Sequence, residues 1–276
     1  MPLTGSDRPP PAAPALPGDH TVLFDWDLDQ FATLVGNCAF DDTVSLSLAH
    51  LPRDGLILEA GCGPGHVVEY LRQQGFTIEG IELNAVIVRA ARERFPGLRI
   101  RLGDVARVDV PDGHYAGLMS FGVIEHFRAG PAEPLREHWR VLRPGGIAVI
   151  SVPSFTLVRR IKALRRLGVR LGTPRTNRRG HDGFLYEPYP DDGKFFEYRL
   201  TRGEFETAVR RAGFEIVHSL PTHHLAGLWL EFGETWVANS ERRFTPTRLG
   251  RLTDRLGRLW PYFHNHMHSI VARKIS

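Results

Sequence analysis

Leu56-Ile-Leu-Glu-Ala-Gly-Cys-Gly-Pro-Gly65 is the stretch on which the reading of this chain turns. An apolar run ends in closely spaced glycines, and the amphipathic segment His66-Val-Val-Glu-Tyr-Leu-Arg-Gln-Gln74 follows, closed by Gly75. That pattern spells strand, tight loop and helix. Gly61, Gly63 and Gly65 allow a sharp turn and leave room for a ligand against the backbone where a side chain would collide. The free N–H groups of the helix's first turn aim at the same place. Such loops serve nicotinamide and flavin sites and also occur as turns without a ligand. A second apolar run, Phe76-Thr-Ile-Glu-Gly-Ile-Glu-Leu83, narrows the choice. It ends with Glu82, about 20 residues past the first glycine, where a carboxylate can accept hydrogen bonds from ribose hydroxyls.

Four further stretches come in order: Gly80-Ile-Glu-Leu-Asn84, Gly103-Asp-Val105, Ser120-Phe-Gly-Val-Ile-Glu-His-Phe127 and Leu142-Arg-Pro-Gly-Gly-Ile-Ala-Val-Ile150. With Glu59 to Gly65, this ordered set resembles the motifs of the class I S-adenosylmethionine (SAM) dependent methyltransferases. The similarity is nearest to the branch that holds the ubiquinone and menaquinone biosynthesis enzymes and many small-molecule methyltransferases. It is strong over residues 50–153 and weaker over 195–220 and 267–274. The resemblance implies an α/β, Rossmann-like fold, with a seven-stranded, mostly parallel sheet, its last strand antiparallel, and helices on both faces. It also implies SAM as cofactor. Glu59, Gly61, Gly63 and Gly65 would frame the methionine end, Glu82 the ribose, Asp104 and Val105 the adenine, and Ser120 to Glu125 the methyl side. Asp104 also fits an ordinary turn.

The alternation of the chain agrees with that fold. Strands are expected at 56–60, 77–82, 98–102, 115–121 and 146–152, and helices at 65–74, 84–95 (with Asn84 as N-cap) and 131–141. Right-handed crossovers make this a parallel sheet, whose ligands sit outside the carboxyl ends of the strands. Residues 1–18 read as a disordered, proline-rich tail without a signal peptide, and 19–276 as one methyltransferase domain. Between them and the sheet, residues 19–52 suggest one or two helices over the cofactor mouth. Trp26 and Phe31 there read as packing residues or as substrate contacts.

A formal charge of +4 and two cysteines set no disulfide framework and point to a reduced, cytoplasmic setting. No stretch is apolar enough to span a bilayer. Nucleic acid is not expected as a partner, since the basic balance is mild and no Asn-Pro-Pro-Tyr type segment follows the fourth strand.

Two insertions, 154–200 and 221–266, leave and re-enter at the carboxyl edge and are expected to form a helical cap that selects the substrate. Thr201 and Glu204 between them match a capping box. From Arg159 to Arg179 the first insertion is basic with no acidic residue, and carries Leu157, Ile161, Leu164 and Leu171 at helical spacing. The second places Leu225, Leu228, Trp229, Phe232 and Trp236 on one helix. Another helix, begun by Thr245-Pro246, has Leu249, Leu252, Leu256 and Leu259 on one side and arginines around them. A solvated basic face, an anionic substrate or carrier, and peripheral membrane contact all fit these helices. The segment Phe195-Phe-Glu-Tyr-Arg199 is expected to anchor the insertion or seat an acceptor.

The resulting expectation is a SAM-dependent methyltransferase acting on a small-molecule acceptor at oxygen, nitrogen or carbon, by in-line displacement. A catalytically silent SAM-binding partner or sensor, a membrane-associated methyltransferase of lipids or quinone precursors, and a nicotinamide dehydrogenase are the rivals. His126 is the first candidate base, with an orienting role as the alternative; His181, His223 and His224 follow. His264, His266 and His268 alternate and would share a face if the last strand began that early, yet no metal is expected. The acceptor's identity and the oligomeric state are not written in the sequence.

Overall fold

The computed structural model describes residues 24, 26–163, 178–179, 185–188, 195–233, 237–240, 243–260 and 262–275. The tail 1–18, most of the basic run after Ala163, His181 and Trp236 lie outside the described residues.

Helices α1 (Phe31–Asn37) and α2 (Asp42–His50) precede β1 (Leu56–Ala60), α3 (His66–Gln73), β2 (Thr77–Glu82), α4 (Ala85–Arg94), β3 (Ile100–Leu102) and β4 (Tyr115–Phe121). Then come α5 (Ala132–Val141), β5 (Leu142–Pro153) and α6 (Leu157–Ala163), followed by short strands β6 (Arg178–Arg179), β7 (Leu185–Pro188) and β8 (Phe195–Tyr198). Helix α7 (Arg202–Arg211) leads into β9 (Phe214–Thr222), α8 (His224–Phe232), β10 (Val237–Ser240), β11 (Arg243–Pro246), α9 (Arg248–Arg258) and β12 (Met267–Lys274).

Seven of these strands form one sheet in the order β3-β2-β1-β4-β5-β12-β9. Pairing is parallel from β3 to β5, and β12 runs antiparallel to both β5 and β9. This is the expected sheet. Its order reverses at β1, which pairs with β2 on one side and β4 on the other, and a crevice opens there outside the carboxyl ends.

Strand alternation feeds two cores. Leu58, Ile81, Leu118, Ile150 and Ile270 face α5 and α7, whereas Ile57, Ile78, Met119, Val149 and Val271 face α1 to α4. Each such fully buried aliphatic side chain contributes about 1.5–3 kcal/mol of burial free energy, so the sheet centre is the stable floor under the crevice.

Some local expectations hold and others shift. Thr201 and Glu204 form the capping box of α7: Glu204 N–H donates to Thr201 Oγ1, and Thr201 N–H donates to Glu204 Oε2. Asn84 caps α4 through Val86 and Ile87. Helix α9, by contrast, begins after Thr247, whose Oγ1 accepts from Gly250 N–H, while Thr245 and Pro246 belong to β11. Its leucine side is exposed at Leu249, Leu252, Leu256 and Leu259, because buried Gly250 turns the opposite side inward. Helix α8 stops at Gly233 and buries His224, Ala226, Gly227 and Leu228 in place of an all-apolar stripe. The insertions also contain an antiparallel three-stranded sheet, β6-β7-β8, and the hairpin β10-β11 beside their helices.

The second insertion is tied to the N-terminal helices by His223, which sits in left-handed conformation (φ 57°) just before α8. Its backbone N–H donates to Asp42 Oδ2 (2.6 Å) and its ring Nε2 pairs with Asp41 Oδ2 (2.9 Å). Asp41 also caps α2 through Thr43 and Val44. Burial opposes both charges. The ring of His223 and the capped amides nonetheless hold Asp41 down at about 2. The carboxylates in turn hold the imidazole above its ordinary value.

The share of stability from His223 is therefore complete below an ordinary histidine pKa of about 6.5 and fades as pH rises through the raised folded value. The share from Asp41 is complete above about 4 and fades only toward about 2. Asp41→Asn keeps a good helix cap and removes the charge. Urea unfolding at pH 6 and pH 8.5 should show a larger loss of stability in the native chain than in Asp41→Asn. Equal losses would contradict the pairing.

Candidate active site

The crevice is built first by backbone. Gly61 and Cys62 N–H groups both donate to Ile81 O at 2.9 Å, which folds the loop after β1 onto the end of β2. Gly61 (φ 80°) and Gly63 (φ 52°) adopt left-handed conformations, and both line the cavity beyond. A Cβ on Gly61 would lie 2.5 Å from Val123 Cγ2, and one on Gly63 about 3.0 Å from the Trp26 ring. The loop is thus glycine both for its turn and for lack of space.

Glu82 locks this arrangement. Its Oε2 accepts from Gly63 N–H (2.9 Å) and its Oε1 from Asn84 N–H (2.9 Å), so one carboxylate joins the two loops after β1 and β2. Each oxygen retains a second lone-pair direction, as ribose hydroxyls would need. Asp104 Oδ1 accepts from Ala106 N–H (2.8 Å), forming the turn that presents Val105 to the cavity.

A strap crosses the mouth. Asn84 Nδ2 donates to Phe24 O (3.1 Å), and Trp26 stands over Gly63 and beside His66, ring centroids 5.6 Å apart. Trp26 therefore both packs on the loop and borders the cavity. Phe31 is a packing residue, stacked on Phe95 at 4.0 Å.

The wall opposite comes from the segment after β4. Phe121, Gly122, Val123, His126 and Phe127 line it. His126 lies edge-on to Phe24 and to Phe196, each at 5.2 Å, and its Nδ1 is 2.9 Å from Phe196 O. A carbonyl only accepts, so Nδ1 carries the proton and Nε2 is the basic nitrogen of the neutral ring. Burial pushes the His126 pKa below the ordinary imidazole value, with Arg199 adding to the effect against Glu197 and the Phe196 carbonyl. Behind it lie Glu125, Glu197 and Arg199. Arg199 and Glu197 are paired at 2.7 Å, and burial raises Glu125 well above the usual carboxylate range. Ligand-type atoms of Glu125, His126 and Glu197 lie within 4.8 Å of one another. The adjacent guanidinium already supplies the positive charge there.

The cavity holds about 340 Å³, within the range of small-molecule sites. Of the residues singled out in the sequence, it brings together Gly61, Gly63, Glu82, Asp104, Val105 and His126. Glu59, Gly65 and Ser120 stand outside its wall. Glu59 is buried, hydrogen-bonded to the Val68 amide at the start of α3, and raised by burial well above the usual carboxylate range. Gly65 packs toward Ile100 and Leu98. Ser120 is fully buried, one residue short of the wall that Phe121 and Gly122 form.

Phe24, Leu83, Phe121 and Phe127 complete the lining. Phe121 falls within the Ser120 to Glu125 stretch expected on the methyl side, and Leu83 and Phe127 lie within the quoted motif stretches.

The basic-cap expectation changes at Arg159. It is partly buried and bonded to Glu231 (2.7 Å) and Ser154 O (2.7 Å), and it does not lie on a solvated face. The three alternating histidines separate because β12 begins only at Met267. His266 lies beside Arg159 (3.2 Å), His268 binds Ser219 Oγ (2.9 Å), and His264 turns toward Asp254.

A comparison of two left-handed glycines tests the packing of the loop. Gly75 (φ 85°) has nothing among the described residues within 4 Å of an added Cβ, so Gly75→Ala should cost only the backbone strain, roughly 1–2 kcal/mol. Gly61→Ala should cost measurably more by urea unfolding, and Val123→Ala in the same chain should relieve part of the excess. Equal costs at the two glycines would contradict the close approach.

Residues 36–219 match the model of a family described as a methyltransferase domain. A probable SAM-dependent methyltransferase of Mycolicibacterium smegmatis is 30% identical over 187 residues, which is 68% of this chain and 62% of that one. A malonyl-[acyl-carrier protein] O-methyltransferase of Pectobacterium atrosepticum is 33% identical over 123 residues, 44% of this chain and 47% of that one. The chain thus spans less than two thirds of these relatives. The crystal structure of a SAM-dependent methyltransferase from Mesorhizobium loti superposes with a TM-score of 0.54 at 17% identity, over 86% of this chain and all of that one, a likeness of fold. Since the family model covers more than half of its length, the chain belongs to the class I SAM-dependent methyltransferase family.

Proposed function

We propose that the protein transfers the methyl group of SAM to an oxygen, nitrogen or carbon of a small-molecule acceptor. One observation carries this reading. The glycine loop, Glu82, Asp104 and Val105 share a single cavity with His126 and its aromatic neighbours. A cofactor held by the first group would therefore face an acceptor beside the second.

The residues present fit SAM. Gly61 and Gly63 form a cradle that side chains would fill, and Glu82 offers acceptors fixed by two backbone N–H groups. Bound there, SAM would supply an electrophilic methyl group to a nucleophilic oxygen, nitrogen or carbon of the acceptor, the carbon–sulfur bonding pair leaving with sulfur. The chain's part is alignment, exclusion of water and, for a protonated acceptor, removal of the proton. Phe24, Trp26, Phe121 and Phe127 make the walls apolar. His126, neutral through Nδ1–H, takes the acceptor proton on Nε2. Glu125, Glu197 and Arg199 fix the field behind it. The O-methyltransferase among the relatives makes an oxygen acceptor the first class to try.

Two variants separate binding from turnover. Glu82→Ala should weaken SAM at least about tenfold by calorimetry, since hydrogen bonds to a charged group contribute about 1.5–3 kcal/mol each. Unchanged affinity would remove Glu82 from the site. His126→Ala should keep SAM affinity and lower kcat about 10²- to 10⁴-fold on an acceptor found with methyl-labelled SAM. In the native enzyme the acid limb of the kcat/KM profile should lie below the ordinary histidine value, and the variant should lack it. Unchanged kcat would exclude His126 as base. SAM binding with no labelled product from hydroxyl, carboxyl and amine acceptors would favour the silent binding module.

A further inference from the structure

The second insertion gathers three ligand-type side chains away from the cavity wall. His224 is the first residue of α8, Asp254 lies within α9, and His264 lies in the segment between α9 and β12. Their ligand atoms fall within 4.8 Å of one another. His264 is completely buried, yet among the described residues neither ring nitrogen has a hydrogen-bond partner. A buried neutral imidazole has one donor and one acceptor to satisfy, and leaving both unmade is costly.

The spacing accounts for this. His264 Nε2 and Asp254 Oδ1 are 3.4 Å apart, longer than an N–H···O hydrogen bond of about 2.7–3.2 Å. Two ligands on a tetrahedral ion with bonds of about 2.0–2.1 Å are separated by about 3.3 Å. The ring of His224 approaches His264 at 5.4 Å between centroids and 65° between planes, so the imidazoles converge without stacking.

The backbone holds the group in place. His266 N–H donates to His223 O (3.2 Å), clamping the 264–266 segment to the start of α8. Gly227, one turn past His224, has no room for a Cβ against the His264 carbonyl. On α9, buried Gly250 sits one turn before Asp254 and lets that side of the helix come close.

We propose that His224, Asp254 and His264 form a divalent-cation site of the zinc type, which ties α8, α9 and the entry of β12 into one unit. Two imidazoles and a carboxylate match zinc's borderline ligand preference, and three protein ligands leave the fourth tetrahedral position to solvent. The ion fastens the insertion that borders the sheet's carboxyl edge. The assignment does not depend on the reading of the SAM cavity.

The test uses the full chain, stripped with EDTA and titrated with Zn²⁺ by calorimetry and with Co²⁺ by visible absorption. One ion per chain and the d–d bands of tetrahedral Co²⁺ are expected. EDTA should lower the Tm of the native protein, and Zn²⁺ should restore it. His264→Gln and Asp254→Asn should each weaken Zn²⁺ at least about tenfold. Circular dichroism checks that both variants stay folded, and His224→Gln serves if either does not. Absence of binding by the native chain, or equal binding by native and folded variant chains, would overturn the site. An unchanged Tm after EDTA would overturn its role as a fastening.

Discussion

One carboxylate joins the two loops that shape the crevice at the reversal point of the sheet. Glu82 closes β2 and accepts the Gly63 and Asn84 amides, one on each oxygen. The first bond sets the glycine loop after β1, and the second sets the start of α4. The crevice is held by this bridge and by the Ile81 carbonyl that receives Gly61 and Cys62. The sheet contributes rigidity from below, with Leu58, Ile81 and Leu118 fully buried at its centre.

Among the described residues, several polar pairs join the strap and the insertions to that frame. Asn84 carries the Phe24 strap, Asp41 and Asp42 receive His223, and Arg159 binds Glu231 across from α6 to α8. These anchors are polar and partly or wholly buried. Breaking one leaves a charge or an amide unpaired, which costs more than the bond itself contributes. The N-terminal helices pack into the apolar core through Phe31 and Val44, and specific polar pairs couple them to the insertions.

The parts of the fold set by local patterns were legible in the sequence. Apolar runs marked β1, β2, β4 and β5, the glycine turn marked the crevice, and Asn84 and Thr201 marked helix starts through their own side chains. Glu82 and Asp104 were legible for the same reason, since each follows directly from its strand end. The insertions were not. Whether the leucines of α9 face in or out depends on which side of the helix packs on its neighbours, and a helical period is silent on that. The start of α9 moved to Thr247 because β11 pairs with β10 through Pro246. His264, His266 and His268 look like a row in the sequence, but β12 begins too late to align them: His266 meets Arg159, His268 bonds Ser219, and His264 turns toward Asp254. Arg159 similarly reads as part of a solvated run until Glu231, far along the chain, captures it.

The central claim is that the crevice between β1 and β4 is a SAM site. Calorimetric titration of the native protein with SAM, S-adenosylhomocysteine and NAD tests it most directly. The account predicts one-to-one, micromolar binding of SAM and S-adenosylhomocysteine, with no heat from NAD. Binding of NAD alone, or of none of the three, would contradict it.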